Sequence, residues 1–137
     1  MKKLTYILGF LVIILGFNGC DYISAPNNYY VSVYNNEDDK YITSVYYRDY
    51  YYGGDRWSRN VIGSYIYPYE SFDMILEEGT YDFKVFMEDD YYSYELGFYD
   101  IYVYENVTLD VCYDCYDKNS KVTIKRTPKV VKENNVQ

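Results

Sequence analysis

The chain of 137 residues has room for one domain, and it carries 23 tyrosines, no histidine and a formal net charge of −8. The lack of histidine excludes Ser-His and Cys-His nucleophilic catalysis as well as His-based zinc sites. No P-loop or dinucleotide-binding glycine pattern occurs, so the sequence predicts a protein without catalytic residues, metal or cofactor.

The N-terminus has the layout of an export signal. Lys2 and Lys3 precede an apolar run over residues 4–17, which is short for a membrane span, and Gly19 stands directly before Cys20. Residues 1–19 thus resemble a bacterial lipoprotein signal peptide. The resemblance implies cleavage before Cys20, diacylation of its thiol and a lipidated tether over residues 20–28. It places the protein at the cell envelope, anchored in a membrane by lipid; an uncleaved anchor or a plain secretory signal is the alternative.

Alternating apolar residues predict the first strands of a domain over residues 29–127. Residues 29–34 and 41–48 indicate strands, although the buried face of the second, which holds Ile42 and Val45, is ambiguous. Residues 49–64 indicate a long loop that crosses from one sheet to the other. Residues 65–69 indicate a short strand, which Pro68 confines to an edge or a strand end.

Residues 70–88 have the pattern of a β-hairpin. Apolar residues alternate along two arms, which meet at a predicted four-residue turn over residues 77–80 with Gly79 in it. The register that follows makes Asp73 and Lys84 exposed cross-strand neighbours. It also predicts three apolar pairs across the hairpin: Leu76 with Tyr81, Met74 with Phe83, and Phe72 with Val85.

The remaining strands follow at regular spacing. Residues 91–96 are predicted to run back beside the second arm, with a bulge or bend at Gly97, and a further strand holds Ile101 and Val103. Residues 107–111 and 121–126 indicate the last two strands. Residues 128–137 are predicted to form a basic, flexible tail.

This series of short strands predicts an all-β fold, an antiparallel β-sandwich of Ig-like or transthyretin-like architecture after an N-terminal signal helix. Scattered positions also resemble small β-sandwich domains of bacterial secreted lipoproteins of unassigned function. Tyr69 stands where those domains have Gly after Pro. The resemblance supports the fold and implies no activity. The positions that carry it are Ile42, Val45, Tyr46, Trp57, Asn60, Pro68, Ser71, Phe72 and the run Gly79, Thr80, Tyr81, Asp82.

Cys112 and Cys115 are separated by two residues, which fits a redox dithiol, half of a metal site or a structural disulfide. The all-β context and the acidic neighbours disfavour a low-pKa dithiol, and a tetrahedral metal site lacks its other ligands. An exported protein meets an oxidising compartment. We therefore predict a disulfide between Cys112 and Cys115.

The charge distribution limits the partners. Residues 21–117 hold 20 Asp and Glu against 5 Lys and Arg, whereas residues 118–137 hold 6 Lys and Arg against one Glu. The acidic body argues against nucleic acid or anionic lipid as the main partner. The turns over residues 38–39 and 88–90 offer carboxylates for Ca²⁺, but they match no calcium-binding loop and are typical of solvated turns.

Paired tyrosines on a strand point to opposite faces, so some of them meet solvent or a partner. Exposed rigid aromatic rings with polar tips are enriched at recognition surfaces. We therefore predict a binding face for a protein or a flat sugar ring, formed by Tyr46, Tyr47, Tyr50, Tyr51, Tyr52 and Trp57. The alternative is that these rings only cover a thin sandwich and that Trp57 plugs its end. The predicted function is that of a non-enzymatic, lipid-anchored envelope protein with a binding or structural role. The alternative is an envelope enzyme or redox factor that uses Cys112 and Cys115.

Overall fold

The structure, a computed structural model, describes residues 25–50, 55–115 and 122–129. The predicted signal helix, Cys20, Tyr51, Tyr52 and most of the basic tail lie outside these ranges. Within them, no helix is long and apolar enough to cross a bilayer.

The described residues form seven strands in two sheets, which confirms the predicted all-β class. The three-stranded sheet has the order β3-β1-β6, and the four-stranded sheet has the order β2-β4-β5-β7. In chain order the strands are β1 (Asn28–Asn35), β2 (Tyr41–Asp49), β3 (Ser71–Glu77), β4 (Gly79–Glu88), β5 (Tyr92–Val103), β6 (Val107–Val111) and β7 (Val122–Pro128).

The two sheets share one apolar core, as in a sandwich. Every second residue is buried in β1 from Val31 and in β4 from Phe83 onward, because successive side chains of a strand point to opposite faces. Val31 and Val33 from the three-stranded sheet join Phe83, Val85 and Met87 from the four-stranded sheet in one cluster. Pairing is antiparallel except between β1 and β6, which run parallel, so the prediction of a purely antiparallel sandwich is wrong at this pair.

The predicted hairpin over residues 70–88 is wrong. β3 pairs with β1 in one sheet, whereas β4 pairs with β2 and β5 in the other. Asp73 therefore lies opposite Ser32, and Lys84 lies opposite Tyr46 and Gly97. The two arms belong to different sheets and contribute to the same core instead of bonding edge to edge.

The connection between β3 and β4 explains this arrangement. Glu78 alone separates the two strands, and its N–H donates to Asn27 O at 2.9 Å. The Tyr81 hydroxyl donates to Glu77 O at 2.9 Å, which secures the corner. Leu76 and Tyr81 are both buried. The alternating apolar side chains of β3 and β4 are thus buried between the two sheets, as they would also be on one face of a hairpin.

A bulge in β2 resolves which of its faces is buried. The register shifts between Ile42 and Ser44, so Thr43 is an extra residue opposite the continuous β4. This bulge lets Ile42 and Val45, three positions apart, both point into the core. In a regular strand, two residues three positions apart would lie on opposite faces, so one of the two would be exposed.

The segment between β2 and β3 closes one side of the sandwich. Ile66 forms an isolated bridge with Ile42, as expected for a short edge segment near Pro68. Tyr69 has a φ of 62°, the left-handed conformation that Gly adopts without strain. The Glu70 N–H donates to Tyr67 O at 3.1 Å and completes the turn. Gly would therefore adopt the backbone conformation of position 69 with less strain than Tyr.

β4 and β5 form the antiparallel hairpin that was predicted for residues 91–96. β5 then continues to Val103, so the separate strand predicted for Ile101 and Val103 is wrong. The bulge expected at Gly97 lies further along, where Asp100 has a φ of 56° and the register shifts. Gly97 itself is required by space, because a Cβ there would lie 2.7 Å from the Tyr99 ring. β6 and β7 form where the sequence predicts them.

Candidate functional site

The outer face of the four-stranded sheet is built around Trp57, which the segment after β2 carries back along that strand. Ser58 N–H donates to Tyr47 O at 2.8 Å, and Val61 N–H donates to Val45 O at 3.0 Å. The Asn60 side chain accepts the Val45 N–H at 3.0 Å. This segment thus forms hydrogen bonds with the backbone groups at the outer edge of β2, and these bonds fix the position of Trp57.

Trp57 lies between cationic side chains of two neighbouring strands. The Arg48 guanidinium carbon is 4.7 Å from the ring centroid, and Lys84 Nζ is 4.8 Å from it. Each contact of this kind stabilises by about 0.5–1 kcal/mol at an exposed site. Trp57 is partly buried. The indole is therefore held in place while some of its surface meets solvent.

Arg48 is itself anchored by a buried carboxylate. It donates to Asp82 Oδ2 through Nε and Nη2, each at 2.8 Å. Asp82 is only 3% exposed, and its Oδ1 accepts the Asp100 N–H at 2.9 Å. Because the bulge at Asp100 turns this N–H toward Asp82, the bulge in β5 and the position of Arg48 depend on the same carboxylate.

The remaining side chains of this face are aromatic and charged. The Tyr46 and Phe86 rings meet edge to face with centroids 5.7 Å apart. Lys84 Nζ pairs with Glu95 Oε1 at 3.3 Å, which leaves the face with balanced charge. We call Tyr46, Arg48, Trp57, Lys84 and Phe86 together the Trp57 face.

The structure separates the residues predicted for the binding face. Tyr46 and Trp57 belong to the Trp57 face, whereas Tyr47 points to the other side of β2, with its ring centroid 6.0 Å from that of Tyr81. Tyr50 is 63% exposed just beyond the end of β2. Tyr51 and Tyr52 lie outside the described residues. The binding role of this set stays a prediction.

A second cluster of polar residues closes one end of the sandwich, where the β1–β2 and β4–β5 turns meet the chain after β6. Lys40 Nζ donates to Glu37 Oε2 at 3.0 Å and to Asp39 Oδ1 at 2.6 Å. Glu37 and Lys40 are both 8% exposed. Glu37 Oε1 also accepts the Tyr113 N–H. We call Glu37, Lys40, Asp89, Tyr94 and Tyr113 the polar end.

Burial by itself lowers the pKa of Lys40, but the hydrogen bonds and negative charges of Asp39 and Glu37 outweigh it and raise that pKa well above its ordinary value. Lys40 is therefore a permanent cation of the polar end. The carboxylates of Glu37, Asp38 and Asp39 come within 4.8 Å of one another, but Lys40 already contacts two of them. The chain thus supplies its own positive charge where a metal ion could otherwise bind.

Asp89 and Tyr94 form the other half of the polar end. Burial raises the pKa of Tyr94, and its hydrogen bond to Asp89 raises it further, to about 12. Burial opposes ionisation of Asp89. The hydrogen bonds from the Tyr94 hydroxyl and from the N–H groups of Tyr91 and Tyr92 outweigh it and lower the pKa of Asp89. Both groups are engaged in holding the β4–β5 turn.

Cys112 and Cys115 have Cα atoms 5.4 Å apart and sulfur atoms at bonding distance. This placement fits the predicted disulfide. The loop that it closes contains Tyr113, whose N–H donates to Glu37 and whose ring centroid is 4.8 Å from that of Tyr94. The disulfide therefore stiffens a segment that packs on the polar end.

Sequence reasoning missed the polar partners of both clusters. Asp82 lies between Tyr81 and Phe83, at a position where the apolar alternation predicts an outward, polar side chain, so the sequence did not indicate that it is buried. Arg48 carries no local motif, because its partner Asp82 lies on another strand. Lys40 pairs with its neighbours Glu37 and Asp39, but the packing on Tyr94 that places it at the end of the core joins distant parts of the chain. Only the presence of Asp82 among the positions that resemble other sandwich domains gave a signal.

Comparison of the chain with protein-family models, with curated proteins and with solved structures found no match.

Proposed function

We propose that this protein is a non-enzymatic, lipid-anchored component of the cell envelope that binds a protein or a glycan through the Trp57 face. The observation that carries the proposal is the fixed position of Trp57 on the outer face of the four-stranded sheet, between Arg48 and Lys84. Rigid aromatic rings and Arg are enriched at recognition surfaces, since they provide contact area at low entropic cost.

The geometry supports either class of partner by the same chemistry. An indole held by cations presents a flat apolar surface to a sugar ring or to an apolar side chain. Polar groups around it, such as the Glu95 carboxylate and the Tyr46 hydroxyl, supply hydrogen-bond acceptors and donors. A polar rim around an aromatic centre is the usual composition of a protein interface.

Capture of partners from envelope extract by the full-length protein in detergent tests the binding role. Trp57→Ala is expected to reduce capture of the main partner at least tenfold, because it removes the centre of the face. Tyr91→Ala is the matched control, since Tyr91 is 71% exposed on the β4–β5 turn, away from that face. Equal capture by wild type and Trp57→Ala contradicts the proposal, and digestion of the extract with glycosidases or with proteases distinguishes the two partner classes.

The envelope location rests on the resemblance of residues 1–20 to a lipoprotein signal. Cys20→Ala is expected to leave the chain unlipidated and at full precursor length. Metabolic labelling with a fatty acid and electrophoresis of membrane fractions measure both effects. Mature, membrane-bound protein that still accumulates from the variant contradicts lipidation at Cys20.

We also propose that the sandwich is of the Ig-like or transthyretin-like type. Its division into three and four strands supports this, because seven-stranded Ig-like domains divide in the same way. The comparison that tests the type is the strand order of an experimental structure of the whole chain.

A further inference from the structure

Three of the four sheet edges are protected against pairing with another chain. Residues 58–61 cover the outer edge of β2. β6 has only five residues, and β7 carries Lys125, Arg126 and Pro128, which are typical of edges that avoid strand addition. β3 has seven residues and pairs only with β1 within the described part of the chain. Among the described residues no segment covers its outer edge, and β3 holds no Lys, Arg or Pro; its only charged side chains are Asp73 and Glu77.

Two hydrogen bonds at the ends of the β1–β3 ladder show which backbone groups face this edge. Asn35 N–H donates to Glu70 O at 2.9 Å, and Glu78 N–H donates to Asn27 O at 2.9 Å. Bonded and non-bonded pairs alternate along an antiparallel ladder. The even-numbered residues of β3 therefore bond to β1, and the odd-numbered residues turn their N–H and C=O groups outward.

Asp73 and Ile75 are the central odd-numbered residues of β3, and both are exposed. The next odd-numbered residue, Glu77, fits the same alternation, because its outward C=O accepts the Tyr81 hydroxyl at 2.9 Å. The N–H and C=O groups of Asp73 and Ile75 thus form a short template for another strand.

An open cleft lies beside this template. It measures about 470 Å³ and lies between the ends of β2 and β3. Its lining among the described residues holds two tyrosine rings, two carboxylates and aliphatic side chains, and none of these residues is basic. The lining consists of Asn28, Tyr47, Asp49, Ile75, Leu76, Glu77 and Tyr81.

We propose that the outer edge of β3 accepts an extended, basic segment of a partner polypeptide as an added strand. The added strand bonds to the backbone of Asp73 and Ile75 and places apolar side chains in the cleft. Lys or Arg at alternate positions meets the carboxylates of Asp73 and Glu77. This site is separate from the Trp57 face, so the two proposals can fail independently.

Charge identifies the occupant. A second copy of the chain, docked edge to edge through β3, would bring Asp73 and Glu77 beside the same carboxylates of its partner, and like charges opposite one another destabilise a strand pair. The region over residues 21–117 carries 20 Asp and Glu against 5 Lys and Arg, which also favours a basic partner in the encounter.

The test uses the full-length protein in detergent and an eight-residue peptide that alternates Lys and Val. Two control peptides accompany it: one with Glu in place of Lys, and one with N-methyl groups on alternate backbone nitrogens. We expect the Lys-Val peptide to bind at least tenfold more tightly than either control in a titration followed by the fluorescence anisotropy of a dye attached to the peptide N-terminus. We also expect it to slow hydrogen exchange at the N–H groups of Asp73 and Ile75.

Ile75→Pro provides the matched protein variant, since its missing N–H points outward and the β1–β3 bonds remain. Ile75→Val keeps the N–H and is the control. The peptide is expected to bind Ile75→Pro at least tenfold more weakly than Ile75→Val. If Ile75→Pro does not fold, the N-methylated peptide tests the same hydrogen bonds on the unchanged protein.

Three results overturn the proposal. Equal binding of the Lys-Val peptide and its N-methylated form shows attraction to the acidic body alone. Unchanged exchange at Asp73 and Ile75 on binding places the peptide elsewhere. Protection of both N–H groups by self-association, without peptide, assigns the edge to a second copy. None of these results depends on Trp57, which Trp57→Ala tests separately.

Discussion

The two ends of the sandwich differ in whether their carboxylates are paired with a basic side chain of the described residues. At the polar end, the buried carboxylate of Glu37 is neutralised by Lys40, and Tyr113 docks on it from another part of the chain. At the other end, the carboxylates of Asp49 and Glu77 line an open cleft, and no basic side chain lines it in the part of the chain that the structure describes. The charges of the polar end hold turns together, whereas Glu77 at the rim of the cleft is exposed to solvent.

This difference separates residues that stabilise the fold from residues available to a partner. A buried polar group is costly unless hydrogen bonds compensate it, so the polar end can be changed only with loss of stability. A charge at the rim of a cleft remains hydrated and contributes little to the fold. Mutations at the two ends are therefore expected to differ sharply in their effect on unfolding.

The largest effect is expected for Lys40→Met. It leaves the buried Glu37 carboxylate without its cation, which destabilises proteins by about 3 kcal/mol when one member of a buried pair is removed. Urea unfolding of the full-length protein in detergent measures the loss. Glu37→Gln combined with Lys40→Met is expected to recover most of it. Glu77→Gln at the cleft is the control, with a change within about 0.5 kcal/mol; equal effects of Lys40→Met and Glu77→Gln contradict the distinction between the two ends.

Alkaline pH is expected to weaken the polar end next. The pKa of Tyr94 is raised to about 12, so the folded state favours the protonated phenol. Its contribution is fully present below pH 10, the ordinary pKa, and is lost as the pH rises through 12. A shift of this size corresponds to about 2.7 kcal/mol. Tyr94→Phe is expected to flatten this part of the stability profile, and an unchanged alkaline profile in that variant contradicts the role of Tyr94.

Reduction of the Cys112–Cys115 disulfide is expected to have a smaller effect. The closed loop is short, so the loss of stability is about 2 kcal/mol or less. Mass spectrometry after treatment with a thiol reagent is expected to show no label on the native protein and two labels after reduction. Partial labelling of the unreduced protein would instead favour the redox alternative.

The smallest effect is expected for Tyr69→Gly, and it has the opposite sign. A left-handed conformation at a non-Gly residue costs about 1–2 kcal/mol, and the greater freedom of Gly in the unfolded chain offsets part of the gain. The net stabilisation is expected to be about 0.5 kcal/mol in thermal unfolding. Tyr67→Gly, at another exposed tyrosine of the same turn, serves as control and is expected to destabilise. Destabilisation by Tyr69→Gly contradicts the strain at this turn.

Most strands could be predicted from the sequence, because alternation of apolar residues records which face of a strand is buried. It does not record the partner strand. Leu76 and Tyr81 are buried whether β3 and β4 form a hairpin or face each other across the core, and the sequence therefore did not exclude the wrong arrangement. The bulge at Thr43 was hidden for a related reason, since only the register with β4 reveals the extra residue.

The candidate sites were less predictable than the strands. The density of tyrosines around Trp57 indicated an aromatic surface, but the cations that hold the indole come from β2 and β4 and meet only in the folded protein. The open edge of β3 could not be predicted at all, because the sequence pattern assigned β4 as its neighbour. An open edge can be recognised only when the neighbours of every strand are known, and these follow from the sheet topology.

Residue-resolved hydrogen exchange of the full-length protein tests the contrast between bonded and open backbone most directly. The N–H groups of Phe72 and Met74 bond to β1 and are expected to exchange at least a hundredfold more slowly than those of Asp73 and Ile75, which face the open edge. Slow exchange at Asp73 and Ile75, equal to that of their neighbours in the absence of any partner, would show that the edge of β3 is already covered and would contradict the open edge.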